Sequence, residues 1–241
     1  MIKVQKKHND LLYFFKLCCF FTTSTIMFNV QKFNEIREIL EKHNKTGKIV
    51  AISKNHPLES VLEAISQGVY IFGENRVQEA EKKFIDLKNK FKDLELHLTG
   101  PLQTNKVKNA IKIFDIFQTL DREKLANEFS KYEELIKNKI FFIQVNIGRE
   151  KTKSGILPEI ADDFIIYCRQ DLKLNIRGLM CIPPINKNPN SYFKNLNDIA
   201  KRNNIDHLSM GMSTDYIDGL KCGASYIRVG TLLFGNRNYE N

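Results

Sequence analysis

The sequence predicts an α/β protein, a single (β/α)8 barrel of the TIM type preceded by an extra N-terminal helix. Eight short apolar runs recur along the 241 residues, and longer amphipathic segments lie between them. The runs are rich in Ile, Val, Phe and Leu, which is typical of parallel strands buried on both faces. No internal linker or change of composition interrupts the pattern after the first 26 residues. An open doubly wound sheet is the alternative, but eight consecutive β/α units favour a closed barrel.

The elements follow in regular order. The segment FNVQKFNEIREILEKHNK, directly after Met27, has the periodicity of the extra helix. The predicted strands are 48–54, 69–74, 95–100, 116–120, 139–147, 174–182, 207–212 and 226–231. The first connecting helix starts with Pro57, which suits a first helical turn, and stops at Gly68. The other connecting helices are predicted at 76–91, 103–113, 122–136, 158–168, 191–202 and 214–222.

Composition narrows the class of protein. Apolar residues make up 42% and charged residues 27%, which is ordinary globular usage and excludes a disordered or collagen-like chain. The net charge is +9, which can indicate a nucleic-acid partner. The sequence has no dense basic block with interleaved aromatic residues, so we expect no such partner. No apolar run reaches about 18 residues, so no conventional membrane-spanning helix is expected. The five cysteines have no CxxC or Cys/His spacing, which favours reduced thiols in a cytoplasmic protein over disulfides or a zinc site.

Residues 1–26, MIKVQKKHNDLLYFFKLCCFFTTSTI, stand apart from this pattern. Basic residues precede an apolar stretch that is interrupted by Lys16, which resembles a poor signal peptide without a small-residue cleavage site. We interpret 1–26 as a non-native or disordered extension, Met27 as the true start, and 27–241 as the barrel domain. A membrane-tethering or export role is the alternative. The mass of the natural N-terminal peptide distinguishes the two, because a mature chain that begins at Met1 contradicts our interpretation.

Reactive side chains are expected where the barrel strands end, since the active sites of such barrels lie at that face. Lys54 follows the first predicted strand, where a desolvated amine can attack a carbonyl and form a Schiff base. A solvated loop lysine is the alternative. Asn75 follows the second strand, where its amide can donate to a phenolate-like oxygen or cap the next helix. His97, in the third strand beside a Gly-Pro turn, is interpreted as a core residue, and support of the site is the alternative.

The seventh and eighth strands end in small and hydroxylated residues. Ser209, Ser213 and Thr231 offer hydroxyl donors, and Gly230 permits close approach of the backbone. In barrels of this type the loops after these two strands often bind phosphate. Turn chemistry alone is the alternative interpretation of these residues.

Arg228 lies within the apolar eighth strand and therefore needs a buried partner. A phosphate or a ring nitrogen is one possibility, and a salt bridge to Asp215 or Glu74 is the other. Together with Lys54 these features describe a ligand with a carbonyl group, a ring and a phosphate. Pyridoxal 5′-phosphate (PLP), which proteins hold through a lysine Schiff base, fits that description.

Several ordered motifs identify a family. They are Ala51-Ile-Ser-Lys54, Phe72-Gly-Glu-Asn75-Arg-Val-Gln-Glu79, Gly100-Pro-Leu-Gln-Thr-Asn-Lys106, Gln144-Val-Asn-Ile, Lys153-Ser-Gly155, Gly178-Leu-Met-Cys-Ile-Pro-Pro184, Leu208-Ser-Met-Gly-Met-Ser213 and Ile227-Arg-Val-Gly-Thr231. With these motifs the sequence resembles the YggS/PROSC family, the pyridoxal phosphate homeostasis proteins, over about residues 28–239. Members of that family are similar to the N-terminal barrel domain of bacterial alanine racemase.

The resemblance implies a cofactor site in which each residue meets one part of PLP. These residues are Lys54 for the aldehyde, Asn75 for the ring, Arg228 for the pyridine nitrogen, and Ser209, Ser213, Gly230 and Thr231 for the phosphate. A guanidinium cannot accept a proton, so it favours an unprotonated pyridine, which is a poorer electron sink. This suits storage of the cofactor. The resemblance further implies a monomer that acts in intracellular PLP homeostasis, with apo-enzymes as possible recipients.

Two enzymatic alternatives remain. A PLP-dependent amino-acid racemase needs proton donors on both faces of the α-carbon, and alanine racemase supplies a tyrosine for this from a further C-terminal domain. Since the sequence given ends at Asn241, we expect no such domain and at most weak racemase activity. A barrel aldolase that uses Lys54 on a sugar phosphate is the second alternative.

One position departs from the family pattern. His56 stands where many relatives have a second lysine, two residues after the Schiff-base lysine. If that lysine helps to transfer the cofactor, another residue takes over the task here, and Lys153 is the candidate.

Overall fold

The computed structural model describes residues 28–236 of the chain. The predicted extension over 1–26 and its alternative export role therefore lie outside the described residues, as do Cys18 and Cys19.

Across residues 28–236, eight parallel strands close into a barrel in chain order, and the last strand pairs with the first. The strands are β1 (Lys48–Ile52), β2 (Ile71–Glu74), β3 (Glu95–Leu98), β4 (Ile116–Leu120), β5 (Ile140–Val145), β6 (Ile176–Cys181), β7 (His207–Ser209) and β8 (Tyr226–Val229). Each lies within a predicted run, so the predicted (β/α)8 barrel is confirmed and the open sheet is wrong.

Helices surround the barrel. They are α1 (Val30–His43), α2 (Leu58–Ser66), α3 (Val77–Lys90), α4 (Val107–Ile113), α5 (Glu123–Ser130), α6 (Glu133–Ile136), α7 (Ala161–Ile166), α8 (Asn190–Arg202), α9 (Tyr216–Lys221) and α10 (Thr231–Phe234). Short 3-10 turns precede α4 and α7 at Thr104–Lys106 and Pro158–Ile160.

The extra helix α1 begins after Asn29, whose side-chain oxygen accepts a hydrogen bond from the backbone N–H of Lys32 at 2.9 Å. The helix packs through a stripe of apolar residues, Phe33, Ile36 and Leu40, onto the barrel. The predicted N-terminal helix is therefore confirmed.

Two helical segments differ from the prediction. The single helix predicted at 122–136 is two helices, because Tyr132 leaves the helical region at φ −114° and ψ 40°. The segment predicted to end at Cys168 continues as a π-helical turn over Tyr167–Asp171, closed by a bond from Leu172 N–H to the Tyr167 carbonyl at 3.2 Å. The periodicity of apolar residues along these segments predicts neither feature.

The core has two layers. One layer lies between strands and helices, and the other fills the barrel itself with Val50, Ile116, Phe142, Met180 and Tyr226. Gly178 makes room for the Phe142 ring, because a Cβ at that glycine would lie 2.5 Å from the nearest ring carbon.

Among the described residues, no helix is long and apolar enough to span a bilayer. The three cysteines in this part of the chain, Cys168, Cys181 and Cys222, are buried and free.

Candidate functional site

A cavity of about 260 Å3 opens at the carboxyl ends of the strands. Six of the seven predicted site residues line it, namely Lys54, Asn75, Ser213, Arg228, Gly230 and Thr231. The cavity wall also contains residues that sequence reasoning missed, namely Ile52, Thr99, Ile182, Met212 and Thr214. The barrel closure explains the assembly, since β1, β2, β7 and β8 lie side by side and their following loops meet.

Ser209, the seventh predicted residue, does not line this cavity. Its side chain is fully buried at the end of β7. The hydroxyl donates to Gln118 Oε1 at 2.6 Å and accepts from Arg228 Nη1 at 2.7 Å. The structure therefore places Ser209 behind Arg228, inside the barrel, rather than at the cavity wall.

Arg228 extends from β8 into the barrel interior and is 5% exposed. Besides the bond to Ser209, its Nη2 donates to the Cys181 carbonyl at 2.8 Å. The alternative of a salt bridge to Asp215 or Glu74 is wrong, because among the described residues no ion pair joins Arg228 to either carboxylate, and Glu74 pairs with Lys83 instead. Burial lowers the pKa of Arg228 from its ordinary value, and the more distant Asp215 acts against that shift.

Asp215 shapes the turn after β7 instead. Its Oδ1 accepts the backbone N–H of Met212 at 2.6 Å, which fixes the loop that carries Ser213. Burial raises the pKa of Asp215, and this hydrogen bond and Arg228 oppose the rise.

Lys83 of α3 binds the loop after β1, which carries Lys54, through hydrogen bonds to its backbone. The Lys83 ammonium is 8% exposed and donates to the Ser53 carbonyl at 2.8 Å and to the His56 carbonyl at 3.2 Å. It also forms ion pairs with Glu74 at 2.5 Å and with Glu79 at 2.9 Å. One buried cation therefore joins both ends of the Lys54 loop to β2 and α3.

Glu74 is the buried partner in this cluster. It is 0% exposed, and its Oε1 accepts the Ser53 hydroxyl at 2.7 Å. Its Oε2 has no hydrogen-bond partner among the described residues. Burial raises the pKa of the Glu74 carboxyl, and the positive charge of Lys83 opposes the rise. The negative charge of the buried Glu74 carboxylate is therefore stabilised by the ammonium of Lys83.

His56, the residue that departs from the family pattern, packs its ring 5.3 Å from the ring of Phe234 in α10. The loop after β1 therefore contacts the helix that follows β8.

Asn75 lies at the cavity wall and does not cap the next helix, whose N-cap residue is Arg76. Its Oδ1 accepts the Thr99 hydroxyl at 3.0 Å, which fixes the amide. Gly100 lets the loop after β3 approach, because a Cβ there would lie 2.5 Å from the Asn75 carbonyl oxygen.

A second cavity of about 290 Å3 adjoins the first and shares Asn75, Thr99 and Ile182 with it. Lys153 lines this second cavity, where its ammonium lies 2.6 Å from Glu150 and donates to the Pro183 carbonyl at 3.2 Å.

Two buried polar residues at the site interrupt apolar patterns in the sequence. Lys83 lies on the apolar face of α3, between Ala80 and Phe84, where a lysine is unusual. Gln118 lies in the otherwise apolar run Ile116–Leu120. His97 is fully buried, as the core interpretation expected, and it contacts Gln118.

The lining combines an amine, a guanidinium, four hydroxyls and apolar walls. Such a set suits an anionic, flat ligand with an electrophilic carbonyl, since the amine can react with the carbonyl while cations and hydroxyls bind the anion.

Several known proteins are similar to this chain over most of its length. The family model of the alanine racemase N-terminal domain matches residues 30–238. The pyridoxal phosphate homeostasis protein of Aquifex aeolicus is 40% identical over 80% of this chain and 88% of its own length. That of Haemophilus influenzae is 37% identical over 83% of this chain and 89% of its own.

Solved structures show the same fold. PipY of Synechococcus elongatus, solved without PLP, superposes with a TM-score of 0.78 at 32% identity, over 86% of this chain and 99% of PipY. PipY with PLP bound gives 0.75 at 30% identity over the same shares. Alanine racemase of Acinetobacter baumannii gives 0.66 at 15% identity, over 85% of this chain and 61% of the racemase, which shows the fold alone.

Proposed function

This chain belongs to the family of the pyridoxal phosphate homeostasis proteins, and from that premise we propose that its barrel mouth binds PLP with Lys54 as the Schiff-base lysine. The observation that carries the proposal is that Lys54, Arg228 and a set of hydroxyls line one cavity. PipY, which is similar over almost its whole length, has been solved with PLP bound.

The chemistry of the lining residues fits PLP. The Lys54 amine is the group that an aldehyde requires, and Ser213, Thr231 and the backbone at Gly230 offer donors for a phosphate. Apolar Ile52, Ile182 and Met212 suit the faces of a ring, with Asn75 beside it. Ser209 acts in this proposal behind Arg228 rather than on the phosphate itself.

Arg228 determines the protonation state of the pyridine nitrogen in the proposed site. Bound PLP supplies an electrophilic aldehyde and a ring that can accept electrons. The buried guanidinium donates hydrogen bonds and cannot accept a proton, so it holds a pyridine nitrogen in its unprotonated form. The unprotonated pyridine is the weaker electron sink. This property favours a protein that stores PLP over an enzyme that converts amino acids with it.

The residues of the cavity wall also favour storage of PLP over the alternative of an amino-acid racemase. Racemisation needs proton-transferring groups on both faces of the substrate carbon. Among the described residues that line the cavity, Lys54 and Arg228 are the ionisable ones, and the guanidinium keeps its proton. We therefore infer a protein of PLP homeostasis that keeps a reactive aldehyde bound in the cytoplasm as a monomer and releases it to apo-enzymes.

The test is to record the absorption spectrum of the purified protein with PLP, before and after borohydride reduction, and to map the labelled peptide. We expect a visible band that disappears on reduction and leaves the cofactor on Lys54. Lys54→Ala should lose the band with the fold intact, and Lys153→Ala, which alters the adjoining cavity, should keep it. A label on Lys153, or a band that survives Lys54→Ala, contradicts the assignment of Lys54.

A further inference from the structure

A chain of buried side chains crosses the barrel interior and ends at Arg228. His97 Nε2 lies 2.8 Å from Glu95 Oε1, and Gln118 Nε2 lies 2.7 Å from His97 Nδ1. Ser209 joins Gln118 to Arg228 through bonds of 2.6 Å and 2.7 Å. His97, Gln118 and Ser209 are each 0% exposed. The chain links β3, β4, β7 and β8, from the amino end of β3 to the cavity at the opposite end of the barrel.

The direction of every hydrogen bond in this chain follows from its Arg228 end. A guanidinium only donates, so the Ser209 oxygen accepts from it and the single Ser209 proton goes to the Gln118 carbonyl. The Gln118 amide nitrogen must then donate to His97 Nδ1. His97 is consequently neutral with its proton on Nε2, which donates to Glu95.

A buried chain of this kind has one arrangement in which every group is paired. Reversing the Gln118 amide would make the Ser209 oxygen accept from both Arg228 and the amide, which leaves the Ser209 proton without an acceptor. It would also turn the Gln118 oxygen towards His97 Nδ1, so that a neutral ring with its proton on Nδ1 would meet Glu95 through an unprotonated nitrogen. Each of these contacts leaves a buried polar group unpaired, which is unfavourable. Glu95 and His97 therefore fix the orientation of Gln118, and Gln118 fixes the oxygen that receives Arg228.

We propose that Gln118 is a positioning residue for Arg228, acting through Ser209, and that His97 and Glu95 hold Gln118 in the required orientation. The proposal rests on the proposed function in one respect, namely that Arg228 faces the pyridine nitrogen of PLP. The chain keeps the guanidinium at one place and one tilt, so that its cavity-facing donors meet the ring nitrogen without a change of rotamer on binding.

The competing interpretation is that the chain only satisfies polar groups in the core. That interpretation predicts altered stability without a specific change at the ring nitrogen. The two therefore differ in the state of the bound cofactor, which a stability measurement does not report.

The variants are chosen to separate these effects. Gln118→Met keeps the side-chain length and removes both hydrogen bonds. Met180→Leu is the control, since Met180 is also buried in the barrel interior and lies outside the chain. Each full-length protein is titrated with PLP labelled with 15N at its ring nitrogen, and its His97 ring 15N shifts are recorded without cofactor.

We expect Gln118→Met to bind PLP about 10-fold more weakly, the size of the effect of one lost buried hydrogen bond. Its ring 15N shift should move from the unprotonated value in the wild type toward that of free PLP in the same buffer. Met180→Leu should keep wild-type affinity and ring shift. A Gln118→Met protein whose affinity and ring shift equal those of Met180→Leu overturns the proposal and leaves PLP binding intact.

The cofactor-free spectra decide the remaining cases. If Gln118→Met does not fold, a wild-type His97 protonated on Nε2 supports the proposed direction of the hydrogen bonds. A wild-type His97 protonated on Nδ1 overturns it. If the wild type binds no PLP, the proposed function fails, while the His97 tautomer still tests the direction of the chain.

Discussion

The buried ammonium of Lys83, which binds the loop that carries Lys54, gives the sharpest stability prediction. The substitution that tests it is Lys83→Met. The variant keeps most of the aliphatic length of the side chain and removes an ammonium that is within 3.2 Å of two carbonyl oxygens and two carboxylates. The first consequence is that Glu74, 0% exposed, keeps a carboxylate without its counter-charge. Breaking a buried ion pair by removal of one partner costs about 3–5 kcal/mol, so we expect a loss of that size at neutral pH.

The matched control is Lys82→Met. Lys82 precedes Lys83 in α3 and is exposed, so the same substitution there should change the free energy of unfolding by less than about 0.5 kcal/mol. The double variant Glu74→Gln/Lys83→Met removes the orphaned charge and loses only hydrogen bonds. It should recover about half of the loss, since each neutral bond contributes about 1 kcal/mol. Urea unfolding followed by circular dichroism measures all four proteins.

The loss should depend on pH in one direction. Burial already raises the pKa of Glu74 in the wild type, and removal of Lys83 raises it further. A carboxyl with a raised pKa in the folded state contributes stability below its unfolded value, 4.5, and loses that contribution as pH rises through the folded value. Lys83→Met should therefore be closest to the wild type near pH 4.5 and furthest from it at neutral pH. A deficit below about 1 kcal/mol at neutral pH, or one that does not change with pH, refutes the reasoning.

Two other features make direct predictions. Burial raises the pKa of Cys168 and of Cys181 to about 12, so both thiols should resist iodoacetamide near about pH 8 in the folded protein and react once urea unfolds it; peptide mass mapping measures this, and fast labelling of either thiol in the native state contradicts the burial. Gly178→Ala should lower the free energy of unfolding by about 1–3 kcal/mol, because the new Cβ would lie 2.5 Å from the Phe142 ring; urea unfolding measures it, and an unchanged midpoint would show that the ring moves aside.

The barrel could be predicted from the sequence because its signals are local. A parallel strand buried on both faces is a short apolar run, and eight such runs alternating with amphipathic segments leave few topologies. The strand ends could be predicted for the same reason, since topology alone brings the loops of Lys54, Asn75 and Thr231 to one face.

The partners of individual side chains could not be predicted in this way. Arg228 was expected to need a buried acceptor, and it has two, but one is a hydroxyl and the other is the Cys181 carbonyl. Every residue has a backbone carbonyl, so the sequence does not show which carbonyl accepts the hydrogen bond. Ser209 was placed at the cavity from its strand, yet which atoms it meets depends on side chains of β4 and β8, about 90 and 20 residues away along the chain.

The pairing of β1 with β8 has a consequence for selectivity. Val50 lies opposite Arg228 and Ala51 opposite Val229, so Lys54 and Thr231 extend from two strands locked together by main-chain hydrogen bonds. For a ligand held as proposed, this pairing sets the distance between the starts of the two loops, and the flexible Lys54 side chain spans the rest. PLP, whose aldehyde and phosphate are attached to an aromatic ring, is long enough to meet the amine and the phosphate donors together. A triose phosphate, whose aldehyde lies only a few bonds from its phosphate, spans a shorter distance, so the paired strands favour the larger ligand.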